Sequence, residues 1–306
     1  MLHRSRIWLR RVCFLLPIAS LLTLSAPALC YTQTTTVTEG DDLEGVRAAV
    51  YVTASQASGS SVALVNMFSW MNATTLTTNA SHILGGGLAD CDILVIPGGP
   101  STGYSLELGE QGREIVKRFV EDGGSYFGVC GGANFACNYG LSFFNGSPRR
   151  PVPGVSDGLY MIELALNNSC SISGLSDEPS AFRTLYWQSS YFDPEDPMGI
   201  IPVATYTNSS LSPMIAFQYG HGSVFLSSPH PEYEEDDDRD GTTAFDYLDD
   251  PESEWGIMMK IARWLVEVSP PASDTGLATG IPYVYLGIAG SAAVIAVAAI
   301  IVARRR

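Results

Sequence analysis

Histidine is scarce in this 306-residue chain, with four in all, and cysteine is little commoner, with six. Cys13 and Cys30 fall in an N-terminal segment that reads as a removable leader, which leaves Cys91, Cys130, Cys137 and Cys170. None of these stands in C-x-x-C spacing with histidine partners, so neither a zinc site nor a disulfide scaffold is indicated. A pairing of Cys91 or Cys137 with Cys170 stays open. Positive charge is also short. There are 17 Lys and Arg against 32 Asp and Glu, and seven of the 17 lie in the terminal segments. The ten that remain against 32 acids give residues 31–280 a net charge of −22. Such a surface repels nucleic acid and anionic lipid, and no nucleic-acid partner is expected. No internal repeat is present.

What the chain does have begins with its ends. Four arginines, an apolar run and then small residues fill positions 1–30, with Ala28 and Cys30 placed as before a cleavage site, so a signal peptide is expected with Tyr31 as the mature start, and an uncleaved membrane anchor is the alternative. From Ile281 to Ala303 there is no charge, a length that crosses a bilayer, and Arg304, Arg305 and Arg306 follow. The expectation is a single-pass protein of the cell membrane, with residues 31–280 outside and 304–306 as a cytoplasmic tail. N-x-S/T sequons at Asn72, Asn79, Asn145, Asn167 and Asn208 suit that placement.

Between the ends, a polar spacer (31–45) leads into one α/β domain over 46–268, and a linker (269–280) follows it. Strands are expected at 46–53, 91–99 and 125–130, the latter two as continuous apolar runs that suit a buried parallel sheet. Helices are expected at 58–72, where Leu64, Met67, Phe68 and Met71 repeat at helical spacing, and at 108–124. After Leu141 the pieces become shorter and β-rich until a last helix at 253–268. Strand and helix in alternation argue for a parallel sheet with right-handed crossovers.

Gly128-Val129-Cys130-Gly131-Gly132 sits where a strand gives way to a helix. That is the pattern of a nucleophile elbow, in which flanking side chains would clash and glycine is a steric requirement. The start of a helix favours a thiolate there, and the Gly131 N–H is placed to hold an oxyanion. A buried structural cysteine at a tight turn is the competing reading. His230-Pro231-Glu232 ends an apolar strand, and residues i and i+2 of an extended segment face the same way. The carboxylate is then positioned to orient the imidazole as base and later acid toward the thiol.

With these motifs, "IPGG", "FVEDGGSYFGVCGGANFA" and "PHPE", the chain resembles the class I glutamine amidotransferase-like superfamily over roughly residues 46–268, and within it the amidotransferase-like N-terminal domain of biotin–protein ligases. The resemblance implies a flavodoxin-like parallel sheet with helices on both faces and a β-rich C-terminal portion, to which the expected C-terminal transmembrane helix is added. It implies a triad of Cys130 as nucleophile, His230 as base and Glu232 as orienter, with Gly99 and Gly131 as oxyanion-hole donors. It also implies attack on a carboxamide through a thioester. Glutamine-using members carry glutamine four residues after the cysteine, where this chain has Asn134. No synthetase domain or glycine- and arginine-rich ligase motif appears, which excludes biotin ligation.

Three readings stay open: an external cysteine amidase or peptidase acting on a small amide or γ-glutamyl-type bond, a catalytically silent binding domain, and an amidotransferase subunit. No organic cofactor is expected, and no protein partner can be named. Asp236, Asp238 and Asp240 before Gly241 have the spacing of half a calcium loop, but the twelfth position is Tyr247, so a weak Ca2+ site competes with a solvated acidic loop. Trp187, Tyr191 and Phe192 are read as core aromatics with pocket lining as the alternative.

Overall fold

The computed structural model describes residues 42–53, 59–235, 238–250 and 252–269. Nine strands form one sheet. Four of them alternate with helices along the chain: β1 (Arg47–Tyr51), α1 (Gly59–Trp70), β2 (Thr74–Thr78), α2 (Ala80–Leu84), β3 (Ile93–Ile96), α3 (Ser101–Glu121), β4 (Ser125–Val129) and α4 (Gly131–Phe135). The later elements are β5 (Gly146–Arg149), β6 (Leu159–Leu166), β7 (Ala181–Trp187), β8 (Tyr191–Pro194), β9 (Ile201–Tyr206), β10 (Met214–Tyr219), β11 (Gly222–Ser227) and α5 (Trp255–Glu267). The sheet runs β2-β1-β3-β4-β11-β10-β9-β6-β7, and β5 pairs with β8 as a separate ribbon.

The apolar runs sort onto two faces because successive strand residues point to opposite sides. Ala48, Val50, Ile93, Val95, Phe127 and Phe225 face α1 and α5, meeting Leu64, Phe68, Met258 and Ile261. Ala49, Tyr51, Leu94, Ile96, Tyr126 and Leu226 face α2, α3 and α4, meeting Ile83, Val116, Val120 and Phe135. Each fully buried aliphatic or aromatic side chain contributes roughly 1.5–3 kcal/mol, which explains why these strands carry almost no polar residues.

The expected α/β class with a parallel sheet is present, and its expected transmembrane helix needs correction. Only β2, β1, β3, β4 and β11 are mutually parallel. The β-rich portion extends the same sheet. Its strands β11, β10, β9, β6 and β7 pair antiparallel, because short reversals such as Gly220–His221 leave no room for a crossover helix. Nor is any helix among the described residues long and apolar enough to cross a membrane, so the transmembrane helix is not carried over into the fold. The span expected at 281–303 and the leader at 1–30 lie outside the described residues.

Smaller differences have local causes. Helix α3 starts at Ser101, earlier than expected, and turns at Gly109, whose φ of 61° suits glycine. Strand β2, Thr-Thr-Leu-Thr-Thr, lies at the sheet edge and needs no apolar alternation. Helix α4 ends at Phe135, so Cys137 lies beyond it.

The chain passes from β1 out to β2 and back to β3 on the other side of β1. A crevice therefore opens at the carboxyl ends of the parallel strands, the usual place for a ligand in such sheets.

Candidate active site

Four strand ends converge on that crevice. Gly98 and Gly99 follow β3, Cys130 follows β4, His230 follows β11 within three residues, and Ser60 opens α1 after β1. Together they line a pocket of about 440 Å³ with Asn134, Arg150, Trp187 and Tyr233.

Cys130 has φ 49° and ψ −106°, a conformation that few side chains tolerate. Its N–H donates to the Ser227 carbonyl at 2.7 Å and its carbonyl accepts from the Asn134 N–H at 2.9 Å, so both strand and helix hold the strain. The Gly132 N–H donates to the Pro97 carbonyl at 3.0 Å, bringing the elbow against the β3 turn. A Cβ on Gly131 would lie 1.6 Å from the Gly99 carbonyl oxygen, so any side chain there pushes the two turns apart. Glycine at this position follows from backbone-to-backbone contact.

His230 is buried, its N–H donating to the Leu185 carbonyl of β7 at 3.0 Å. Its Nδ1 stands 2.9 Å from Glu232 Oε1. With Nδ1 committed there, Nε2 is the ring nitrogen available to the thiol. Trp187 packs against one side of the ring and Tyr233 lies 5.8 Å away, centroid to centroid. Glu232 is fully buried, and its Oε1 also accepts from Ser60 Oγ at 2.6 Å.

Burial disfavours a thiolate at Cys130, but the charge of His230 beside it, with help from the Gly131 N–H, brings the pKa below the ordinary thiol value. Burial likewise opposes a charged imidazole. The Glu232 carboxylate and then the Cys130 thiolate outweigh it and push His230 up to about 10. The two shifts have the sign that favours a thiolate–imidazolium pair. Cys137 shows the contrast, since burial acts alone there and pushes its thiol up to about 12. The helix-start contribution expected at Cys130 is small, because α4 has only five residues.

The remaining expected residues fare differently. Asp236 lies outside the described residues. Asp238 and Asp240 fall in a single 3-10 turn, and Asp240 is buried with its carboxylate accepting the N–H groups of Thr242 (2.8 Å) and Glu234 (3.3 Å). Its oxygens are thus engaged by its own loop, and among the described residues no group of three His, Cys, Asp or Glu is placed to hold a metal ion. Cys91, Cys130, Cys137 and Cys170 are all free thiols. Trp187 lines the pocket, whereas Phe192 is core. Sequence reasoning missed Ser60, which belongs to a plain Gly-Ser-Ser helix start with no motif to mark it.

Residues 87–157 match the family described as "Biotin-protein ligase, N terminal". An uncharacterized protein of Chlamydia muridarum (strain MoPn / Nigg) is 32% identical over 157 residues, covering 46% of this chain and 60% of that protein. The subunit PurQ of phosphoribosylformylglycinamidine synthase from Salinibacter ruber (strain DSM 13855 / M31) is 42% identical over 59 residues, or 18% of this chain and 25% of that subunit. The chain thus spans less than two thirds of either curated relative. Among solved structures, a glutamine amidotransferase from Thermotoga maritima superposes with TM-score 0.42 at 15% identity, covering 73% of this chain and 90% of that one. A likeness at that level carries no argument about chemistry. The matched segment contains the elbow.

Proposed function

We propose that this glutamine amidotransferase-like chain is a cysteine hydrolase of a small amide or γ-glutamyl-type bond. The observation that carries the reading is the placing of His230 in the same pocket as the Cys130 elbow, with Glu232 behind the imidazole at 2.9 Å, and the charge of His230 draws the thiol pKa down. A buried structural thiol has no use for that arrangement.

In this reading the Cys130 thiolate attacks the carbonyl carbon of the amide, and the carbonyl π electrons move onto oxygen. The N–H groups of Gly131 and Gly99 hold that oxyanion. His230, protonated at Nε2, gives its proton to the departing amine, and the C–N bond breaks to leave a thioester on Cys130. The now neutral imidazole takes a proton from water, which attacks the thioester. The carboxylic acid leaves, and the thiolate–imidazolium pair returns. Glu232 stays ionised throughout, keeping Nδ1 protonated so that Nε2 does the proton transfer.

The pocket supports a small substrate. Its volume of about 440 Å³ is at the lower end of ligand sites, and Trp187 forms one wall of it. The test is release of p-nitroaniline from γ-glutamyl-p-nitroanilide, alongside ammonia release from a panel of primary carboxamides. Cys130→Ala should abolish whichever activity is found and leave the melting temperature within a few degrees. Turnover that survives in Cys130→Ala refutes the triad. A wild-type protein inert to the panel, with an unreactive Cys130, favours a silent binding domain.

A further inference from the structure

Ser60 joins two parts of the site that the triad leaves separate. Its Oγ donates to Glu232 Oε1 at 2.6 Å, the same oxygen that faces His230 Nδ1. The same Oγ accepts the Gly98 N–H at 2.8 Å. The Gly98 carbonyl in turn accepts from Tyr104 Oη at 3.2 Å, and the Pro97 carbonyl accepts from the same hydroxyl at 2.9 Å. The turn that presents Gly99 is therefore held on both sides, by Ser60 through an N–H and by Tyr104 through carbonyls. No side chain at Gly98 could replace this hold, since a Cβ there would lie 2.6 Å from His230 Cε1.

These bonds form a chain from Gly98 N–H through the Ser60 hydroxyl to the Glu232 carboxylate and the His230 ring. Every member is buried, and hydrogen bonds in series at low dielectric strengthen one another. The single hydroxyl proton of Ser60 is fixed on the carboxylate, because Gly98 N–H can only donate. That leaves Ser60 Oγ as acceptor from the turn and donor to the acid, with no alternative orientation. Among the described residues Glu232 Oε2 has no hydrogen-bond partner, so Oε1 takes both donors and its placement depends on them.

We propose that Ser60 is a positioning residue, tying the imidazole-orienting carboxylate to the oxyanion turn so that both are set by one hydroxyl. The inference rests on the cysteine hydrolase reading and adds to it a fourth side chain. The Ser60 hydroxyl is committed to Glu232 and to the Gly98 N–H, so it acts through that carboxylate and through the backbone of the turn.

Two reactions of Cys130 separate this role from a merely structural one. Alkylation by iodoacetamide needs the thiolate but no oxyanion hole. Acylation by p-nitrophenyl acetate needs both: the thiolate attacks the acetyl carbon, p-nitrophenolate leaves, and S-acetyl-Cys130 remains until water hydrolyses it to acetate. Cys130→Ala supplies the background for each. Ser60→Ala should slow acylation about 10- to 100-fold, as misplaced oxyanion donors do, and alkylation by less than about threefold. Ser60→Thr, which keeps the hydroxyl, should restore acylation. If Ser60→Ala does not fold, Ser60→Cys, with similar volume and a weak donor, should show the same selective loss. Equal slowing of both reactions, no slowing of either, or failure of Ser60→Thr to restore acylation overturns the inference while leaving the triad intact. A wild-type Cys130 that neither acylates nor alkylates faster than Cys137 overturns the hydrolase reading itself, and this inference with it.

Discussion

Glu232 and Glu235 stand three residues apart, both buried, in opposite electrostatic situations. Glu232 has a hydroxyl and an imidazole on one oxygen. Among the described residues neither oxygen of Glu235 has a hydrogen-bond partner, Glu254 has only the Thr184 hydroxyl near it, and the Asp250 carboxylate lies near both. Burial and then the charge of Asp250 push Glu235 up to about 8. Burial and then the charge of Glu235 push Glu254 well above the usual carboxylate range. The first region gives its carboxylate polar partners. In the second, Glu235 and Glu254 are pushed toward the protonated form. One short segment, 230–235, therefore carries a carboxylate that must stay ionised for the proposed chemistry and another that is favoured neutral.

The same substitution at the two positions should have opposite signs, and this is the sharpest way to break the comparison. Glu232→Gln should lower Cys130-dependent turnover by about 100-fold, because the imidazole loses the charge that keeps Nδ1 protonated. It should also cost roughly 1–3 kcal/mol of stability, the scale of hydrogen bonds to a charged group. A stable, fully active Glu232→Gln would remove the distinction altogether.

Glu235→Gln should instead stabilise at alkaline pH. The folded-state pKa of Glu235 is raised from an ordinary 4.5 to about 8, so the native state binds more protons than the unfolded chain between those values. Stability from this group is complete below about pH 4.5 and is lost as pH rises through about 8. Denaturant titrations should show wild-type stability falling across that window. Glu235→Gln should flatten the fall and gain roughly 1–3 kcal/mol at pH 8. A flat wild-type profile, or a variant less stable at pH 8, would place the two glutamates in the same class.

The smallest effect is expected at Trp187, which is 45% exposed and whose ring lies tilted beside that of His230, 5.7 Å between centroids. Trp187→Ala should change stability by no more than about 1 kcal/mol, as for surface-facing side chains. It should raise KM for a small substrate more than it lowers kcat, since it opens a wall of the pocket without moving the imidazole's partner. A fall in kcat alone would show that Trp187 holds the ring in place.

How far this was legible in the sequence depended on separation along the chain. The elbow and the His230–Glu232 pair are local patterns, two residues or a single turn in extent, and their glycine and i, i+2 requirements are visible in a string of letters. The strands β1, β3 and β4 announce themselves as apolar runs because both faces are covered. Ser60 does not, since its partner Glu232 is 172 residues away. The acidic stretch from Glu232 to Glu254 misleads for a different reason. A run of carboxylates reads as solvated or metal-binding, yet Glu235, Asp240, Asp250 and Glu254 are all buried, which only the fold can decide. The antiparallel half of the sheet was legible as strands but not as an extension of the parallel half, because pairing partners are set by the closure of the whole sheet.

The central claim is that Cys130 is a thiolate near neutral pH because His230 stands beside it, and the rate of alkylation against pH tests it most directly. Mass spectrometry after timed iodoacetamide labelling reads Cys130 and its internal control, Cys137, in the same sample. Cys130 should label first, keep its rate well below the pKa of about 8.5 of a free thiol, and lose that advantage in His230→Ala. Cys137, with its pKa pushed up to about 12, should stay silent across the range. If Cys130 labels no faster than Cys137, and its profile is the same with or without His230, the elbow holds a structural cysteine and the account is wrong.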